Sequence, residues 1–254
     1  MKPLILITND DGVHAKGISE LAQIASEFGE VVVMAPDRNA SGMSHSLTTD
    51  RPLRVTPVSQ TGNVSIFACS GTPVDCVKVA SMHFCSRRAD LVLSGINHGS
   101  NASVNVLYSG TMGAVIEASN NGIPAVGFSL LDHDPDAEFS SCRPFIRTII
   151  ANVLKEGLPH RVSLNVNFPP HTADGYRGMR ICRESEALWT DSFERRIDPH
   201  GNAYYWLTGN FECTDKEPDT DQWALEHGYV SVVPTTADFT AAASIPQLTR
   251  QFSL

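Results

Sequence analysis

Leu4-Ile5-Leu6-Ile7-Thr8-Asn9-Asp10-Asp11-Gly12 begins the chain's first element with an apolar run that passes directly into a polar turn. A short continuous apolar run is what a strand buried on both faces of a parallel sheet requires. Ile18, Leu21, Ala22, Ala25 and Phe28 follow at the spacing of one helical face, and Gly29 is placed to end that helix. Val31 to Met34 is a second apolar run, and it too enters a polar loop, Pro36-Asp37-Arg38-Asn39-Ala40-Ser41-Gly42. Strand, loop, helix, strand, loop is the opening of a doubly wound α/β sheet.

The alternation continues outward from there. Leu53 to Pro57 and Val64 to Cys69 read as shorter, antiparallel strands. Thr72-Pro73-Val74-Asp75 combines an N-cap, a first-turn proline and a capping-box acid, and the stripe Val74, Val77, Ala80 continues the helix. Asp90 to Gly95 is a strand feeding the loop Asn97-His98-Gly99-Ser100-Asn101. Met112, Val115, Ile116 and Ser119 predict a helix closed by Gly122. Pro124 to Leu130 and Val162 to Phe168 are strands, with a helix over Phe145, Ile149, Ile150 and Val153 between them. Beyond about residue 170 aromatics, charges and turn residues mix without a helical period. Gly201-Asn202 between Phe193–Ile197 and Ala203–Leu207 predicts a hairpin. A short helix over Asp221–His227 and a strand over Tyr229–Pro234 follow. We expect one domain over residues 1–254, with 1–170 as the sheet core and 171–254 as an extension that packs on the sheet or on a second subunit.

Composition narrows the function. The 254 residues are 42% hydrophobic and 19% charged, with a formal net charge of -9. An acidic chain without a basic patch is a poor partner for nucleic-acid polymers and anionic membrane surfaces. No stretch approaches the ~20 apolar residues of a membrane span, and the N-terminal run is too short for a signal peptide. We therefore expect a cytoplasmic protein. The six cysteines form no C-x-x-C pair, which disfavours zinc and a disulfide scaffold. Gly-x-Gly-x-x-Gly, Gly-x-x-x-x-Gly-Lys and Gly-x-Ser-x-Gly are all absent, which disfavours dinucleotide, P-loop and serine-hydrolase chemistry.

Ligands in open α/β sheets bind where loops converge at the carboxyl ends of the strands. Three strands here end in polar loops, carrying Asn9, Asp10 and Asp11, then Asp37, Asn39 and Ser41, then Asn97 and Asn101. Adjacent aspartates raise each other's pKa unless a cation lies near. Two aspartates, a serine hydroxyl and an asparagine carbonyl form an oxygen set suited to Mg²⁺ or Mn²⁺. Taken alone, Asn9-Asp10-Asp11-Gly12 reads equally well as a polar turn capping a helix. Tyr108-Ser109-Gly110-Thr111 precedes a helix whose N-terminus suits phosphate, though Ser70-Gly71-Thr72 shares the pattern and simple capping is the alternative. His14, His45 and His98 in these loops read as solvated side chains. Trp189, Trp206, Trp223, Tyr204 and Tyr205 read as packing or subunit contacts rather than a base-stacking platform.

Taken together the loops resemble the SurE survival-protein family of 5'(3')-nucleotidases and acid phosphatases. The matching strings are Thr8-Asn9-Asp10-Asp11-Gly12, Ala35-Pro36-Asp37-Arg38-Asn39 with Ser41-Gly42, Ser70-Gly71-Thr72-Pro73-Val74-Asp75-Cys76, Ser94-Gly95-Ile96-Asn97 and Tyr108-Ser109-Gly110-Thr111 with Glu117. Thr220-Asp221 and Gly228-Tyr229-Val230-Ser231 complete the set, so the resemblance spans essentially the whole chain. It implies a Rossmann-like three-layer α/β fold with a mostly parallel sheet. The C-terminal segment would be exchanged between subunits of a homodimer or homotetramer. It also implies one divalent metal per subunit, held by Asp10, Asp11, Ser41 and Asn97, with Ser109, Gly110 and Thr111 receiving phosphate and Asn9, Asn39 and Asn101 at other pocket positions. On this reading Asp10, with Asn9, is catalytic, and a nucleoside monophosphate is the substrate. Two departures stand out. His45 takes a place where many members carry asparagine, and Asp238-Phe239-Thr240 is followed by alanines where many carry a histidine. A non-catalytic nucleotide- or metal-binding sensor using the same loops is the alternative, and a sheet enzyme acting on nucleotide sugars is a third reading.

Overall fold

The computed structural model describes residues 1–172 and 174–253. The opening apolar run is β1 (Leu4–Thr8), followed by α1 (Lys16–Ala25) and β2 (Glu30–Pro36). β3 (Val55–Thr61) and β4 (Val64–Cys69) precede α2 (Pro73–Val79), β5 (Leu91–His98), α3 (Gly110–Asn120), β6 (Ala125–Leu130), α4 (Arg143–Glu156) and β7 (Ser163–Phe168). The C-terminal part adds β8 (Met179–Ile181), β9 (Ala187–Ile197), β10 (Ala203–Cys213), α5 (Asp221–Glu226), β11 (Val230–Thr235) and α6 (Ile245–Gln251).

The main sheet has nine strands in the order β3-β4-β2-β1-β5-β6-β7-β11-β8. From β4 to β7 neighbouring strands run parallel. β3 joins one edge antiparallel to β4, and β11 joins antiparallel to β7. Thus β8 and β11, both beyond residue 170, extend the same sheet. β1 shows why the sheet is three layers thick. Ile5 and Ile7 pack with Ile18, Leu21, Ile146 and Ile150 of α1 and α4. Leu4 and Leu6 face the other way, toward Val77, Met112 and Val115 of α2 and α3. Every residue of β1 is buried, as a doubly covered strand demands.

Several expectations shift. Gly29 does not cap α1, which ends at Ala25 with Ser26 as its C-cap. Gly29 is needed instead because a Cβ there would lie 2.1 Å from the Pro3 carbonyl oxygen. The third strand begins at Val55 rather than Leu53 and runs to Thr61. β5 does not stop at Gly95 but continues to His98, with a register shift against β6 between Ser94 and Asn97. Asn97 is therefore on a strand end, not in a loop. The hairpin strands are 11 residues each, longer than the pattern around Gly201-Asn202 indicated, and almost wholly exposed. The short β8 and α6 had no periodic signal in the sequence. The capping box at Thr72 and Asp75 forms as read. No helix among the described residues is long and apolar enough to cross a membrane.

Candidate active site

The chain runs from β1 to β2 on one side and later places β5 on the other side of β1. The carboxyl ends of β1 and β5 therefore flank the switch point where doubly wound sheets bind ligands. Asn9, Asp10 and Asp11 leave β1 there, and Asn97 ends β5. Asn9 is fully buried, and its amide closes the turn on itself. Nδ2 donates to the Gly12 carbonyl at 2.9 Å and Oδ1 accepts from Gly12 N at 3.2 Å. Asn9 thus shapes the turn that presents Asp10.

The second loop is held to the first through the backbone. Ala40 N donates to the Asp10 carbonyl at 2.7 Å, and Val13 N to the Pro36 carbonyl at 2.9 Å. Asn39 Oδ1 accepts from Ser41 N at 2.8 Å, and both residues are exposed at the rim. From β5, His98 N donates to Asp11 Oδ2 at 3.3 Å. Asn97 Nδ2 donates to the Gly99 carbonyl at 2.8 Å, which turns Oδ1 to the other side. α1 presses on the end of β5 so closely that a Cβ on Gly17 would lie 2.0 Å from the Ile96 carbonyl oxygen.

The fourth wall is the N-terminus of α3. Ser109 caps it, its Oγ accepting from Met112 N at 3.0 Å. Thr111 Oγ1 donates to Asp10 Oδ1 at 2.5 Å. A Cβ on Gly110 would lie 2.9 Å from Asp10 Cβ and 3.0 Å from its Oδ2, so glycine lets helix and carboxylate approach this closely. The first N–H groups of a helix have no acceptor within it, and the dipole behind them favours an anion.

Burial, with a smaller push from the neighbouring Asp11, raises the Asp10 carboxyl to about 6 against the opposing Thr111 hydroxyl and backbone. Burial also raises Asp11, opposed by the His98 backbone and by the charges of His98 and His133. Among the described residues neither aspartate forms an ion pair with Lys or Arg. A buried and a half-buried carboxylate without a cationic side chain fit a hard divalent cation as their counter-charge. No cluster of three His, Cys, Asp or Glu exists among the described residues to hold one, so its shell here would need neutral oxygens such as Asn97 Oδ1 and Ser41 Oγ.

Asn101 is tied into a network of side-chain amides. It is buried, its Nδ2 donates to Ser129 Oγ at 2.8 Å and its N donates to Asn167 Oδ1 at 2.9 Å. Asn165 Nδ2 donates to the Asn101 carbonyl at 2.8 Å, and Asn167 Nδ2 to Asn165 Oδ1 at 2.9 Å. This network anchors the segment between β5 and α3 to β6 and β7. Asp221 anchors the same segment at Ser103. One carboxylate oxygen accepts from Ser103 N at 2.7 Å, and the other from Ser185 N and Oγ at 3.0 and 2.8 Å. Asn165 and Asn167 were legible only as polar residues at i and i+2 inside an apolar strand, which places both on one face. His133, whose ring packs against Gly99 and whose charge reaches Asp11, left no signal in the sequence. His14 is exposed as read. His45 has its pKa lowered by burial, opposed by the charge of Glu117. His98 keeps a buried Nδ1 without a partner, its ring edge-on to Phe139 at 5.4 Å.

Comparison with known proteins identifies the family. The sequence model of the family described as "Survival protein SurE" matches residues 5–191. A protein of Flavobacterium psychrophilum named 5'-nucleotidase SurE is 50% identical over 97% of this chain and 96% of its own length. One of Cytophaga hutchinsonii with the same name is 48% identical over 99% of this chain and 97% of its own. The crystal structure of the SurE protein from Aquifex aeolicus superposes with a TM-score of 0.83 at 34% identity, covering 98% of this chain and 99% of that one. The family model, the near full-length relatives and the shared fold agree: the chain belongs to the survival protein SurE family.

Proposed function

We propose that this chain is a 5'-nucleotidase, a divalent-metal-dependent phosphomonoesterase that converts nucleoside monophosphates to nucleoside and phosphate. The observation that carries it is the Asp10 carboxylate, set against Asp11 on one side and the Ser109-Gly110-Thr111 helix start on the other. The name and near full-length identity of the relatives support the same activity.

Asp10, Asp11, Asn97 and Ser41 would hold one Mg²⁺ or Mn²⁺ per subunit. When bound, such an ion supplies Lewis-acid polarisation of a phosphoryl oxygen. The chain's own residues do the rest. Thr111 Oγ1 fixes Asp10 through Oδ1, and Oδ2 remains to orient a water and take its proton. The N–H groups of Gly110 and Thr111 and the α3 dipole stabilise the charge that grows on the phosphoryl oxygens. Asn9 holds the turn that presents Asp10, and Asn39 holds Ser41 at the rim.

The β9–β10 hairpin carries Phe193, Ile197, Tyr204, Tyr205, Trp206 and Leu207 exposed. Such a surface supports assembly into a homodimer or homotetramer through the C-terminal part. All six cysteines are free, which fits a reducing compartment such as the cytoplasm.

The test is release of inorganic phosphate from a panel of nucleoside monophosphates with Mg²⁺ or Mn²⁺ and with chelator. Metal-dependent release supports the proposal. A protein that binds nucleotide and releases no phosphate under any metal is a sensor, and the proposal falls.

A further inference from the structure

The phosphate-receiving turn leaves the rest of the substrate unaccounted for. Tyr108, the residue before that turn, lines a cleft of about 540 Å³ with Asn105, Trp189, Asp191, Leu207 and Thr208. This is within the roughly 300–1,000 Å³ typical of small-molecule sites. The cleft lies between the segment Ser103–Tyr108 and one face of the hairpin. Strand pairing sets that face. Trp189 lies opposite Phe211, Asp191 opposite Gly209, and Phe193 opposite Leu207. Gly209 brings no side chain, so the face is hollow between Trp189 and Leu207.

Trp189 is held in place rather than loose. Its Nε1 donates to Asn105 Oδ1 at 2.8 Å, and its ring meets Phe211 at 5.6 Å between centroids, edge to face. It nonetheless stays 43% exposed. The Trp189 bond occupies Asn105 Oδ1 and leaves Nδ2 as a donor, while the Asp191 carboxylate offers acceptors. From Tyr108 to Gly110 is two residues, at most about 7 Å of chain. That is short enough for one nucleotide to touch both places.

We infer that this cleft receives the nucleobase of the nucleoside monophosphate, with the Trp189 ring as its stacking surface and Asn105 and Asp191 as polar contacts. The inference rests on the nucleotidase reading of Asp10 and the Ser109–Thr111 turn. It reassigns Trp189 from packing to binding. Stacking accepts any base, because every base has a π-face. Preference among bases then comes from Asn105 and Asp191.

The experiment compares kcat/KM for a nucleoside 5'-monophosphate and for ribose 5-phosphate in wild type, W189A and W189F. Sedimentation velocity of each is measured alongside. W189A should lower the ratio of nucleotide to ribose 5-phosphate about tenfold, the order of one base–aromatic stack. W189F should retain most of the ratio. An equal fall on both substrates, or an unmoved ratio, overturns the inference. A changed sedimentation coefficient with an unmoved ratio makes the cleft a subunit seam and overturns it as well. Calorimetric binding of adenosine, which carries no phosphate, separates the two readings. Trp189-dependent binding of adenosine by a protein that hydrolyses no ester keeps the cleft and removes the nucleotidase. A wild type that hydrolyses nucleotide and ribose 5-phosphate equally well keeps the phosphatase and removes the cleft.

Discussion

Replacing Thr111 by valine tests how Asp10 is held. Thr111 is fully buried, Asp10 is 3% exposed, and the hydroxyl donates to Oδ1 at 2.5 Å. Valine keeps the shape and removes the donor. The bond favours the ionised carboxylate, so its loss favours the protonated form and the pKa must rise. A hydrogen bond to a charged group is worth about 1.5–3 kcal/mol, and 1.36 kcal/mol is one pKa unit, so the rise is about one to two units. Asp10 in the metal-free protein should then move from about 6 to about 7–8. Carbon-13 NMR of labelled aspartate carboxyls reads this directly. The pH at which Mn²⁺ binding is half lost should climb with it, because metal and proton compete for the same oxygen. A T111V carboxyl that titrates where the wild type does, or a wild-type Asp10 near the ordinary 3.8, refutes the reasoning.

Three further outcomes follow from the same geometry. With Asp10 at about 6 when folded and 3.8 when unfolded, the folded state binds the proton more tightly, so stability falls as pH rises through 6 and the penalty at neutral pH is about 3 kcal/mol. A divalent ion relieves that penalty, so calorimetry should show a larger Mn²⁺-induced rise in Tm at pH 7.5 than at pH 5, and equal rises would refute it. Gly17→Ala puts a methyl 2.0 Å from the Ile96 carbonyl oxygen, and it should destabilise the fold by about 3 kcal/mol in urea unfolding and weaken metal binding through neighbouring Asn97. Asn167→Leu strands Asn101 N and Asn165 Oδ1 in the interior, at about 1–3 kcal/mol each, so it should cost stability in urea and raise KM for nucleotide.

Much of this was legible in the sequence where local rules and burial agree. β1 and β2 are apolar throughout because both faces are covered, and the Thr72–Asp75 capping box forms because it needs only its own turn. The three polar loops stood at strand ends, and the fold joins them through Ala40 N to the Asp10 carbonyl and His98 N to Asp11 Oδ2. What failed to show depends on partners distant in sequence. Gly29 looked like a helix stop because that signal is local, whereas its requirement comes from Pro3. The ties of Asn101 to Ser129, Asn165 and Asn167 on two other strands left no local signal. The reach of β9 and β10 to 11 residues each was hidden because an exposed ribbon has no buried face to impose alternation.

The central claim is that the carboxylate of Asp10 performs chemistry and does not merely fill a polar turn. Asp10→Asn keeps the size of the side chain and its acceptor for Thr111, but not its charge or its basicity. Phosphate release from a nucleoside 5'-monophosphate at saturating Mn²⁺, with Tm matched to wild type, measures the difference. The account predicts a loss of kcat of about 10²–10⁴, the usual worth of a positioned base. A D10N protein turning over within a few-fold of wild type contradicts it.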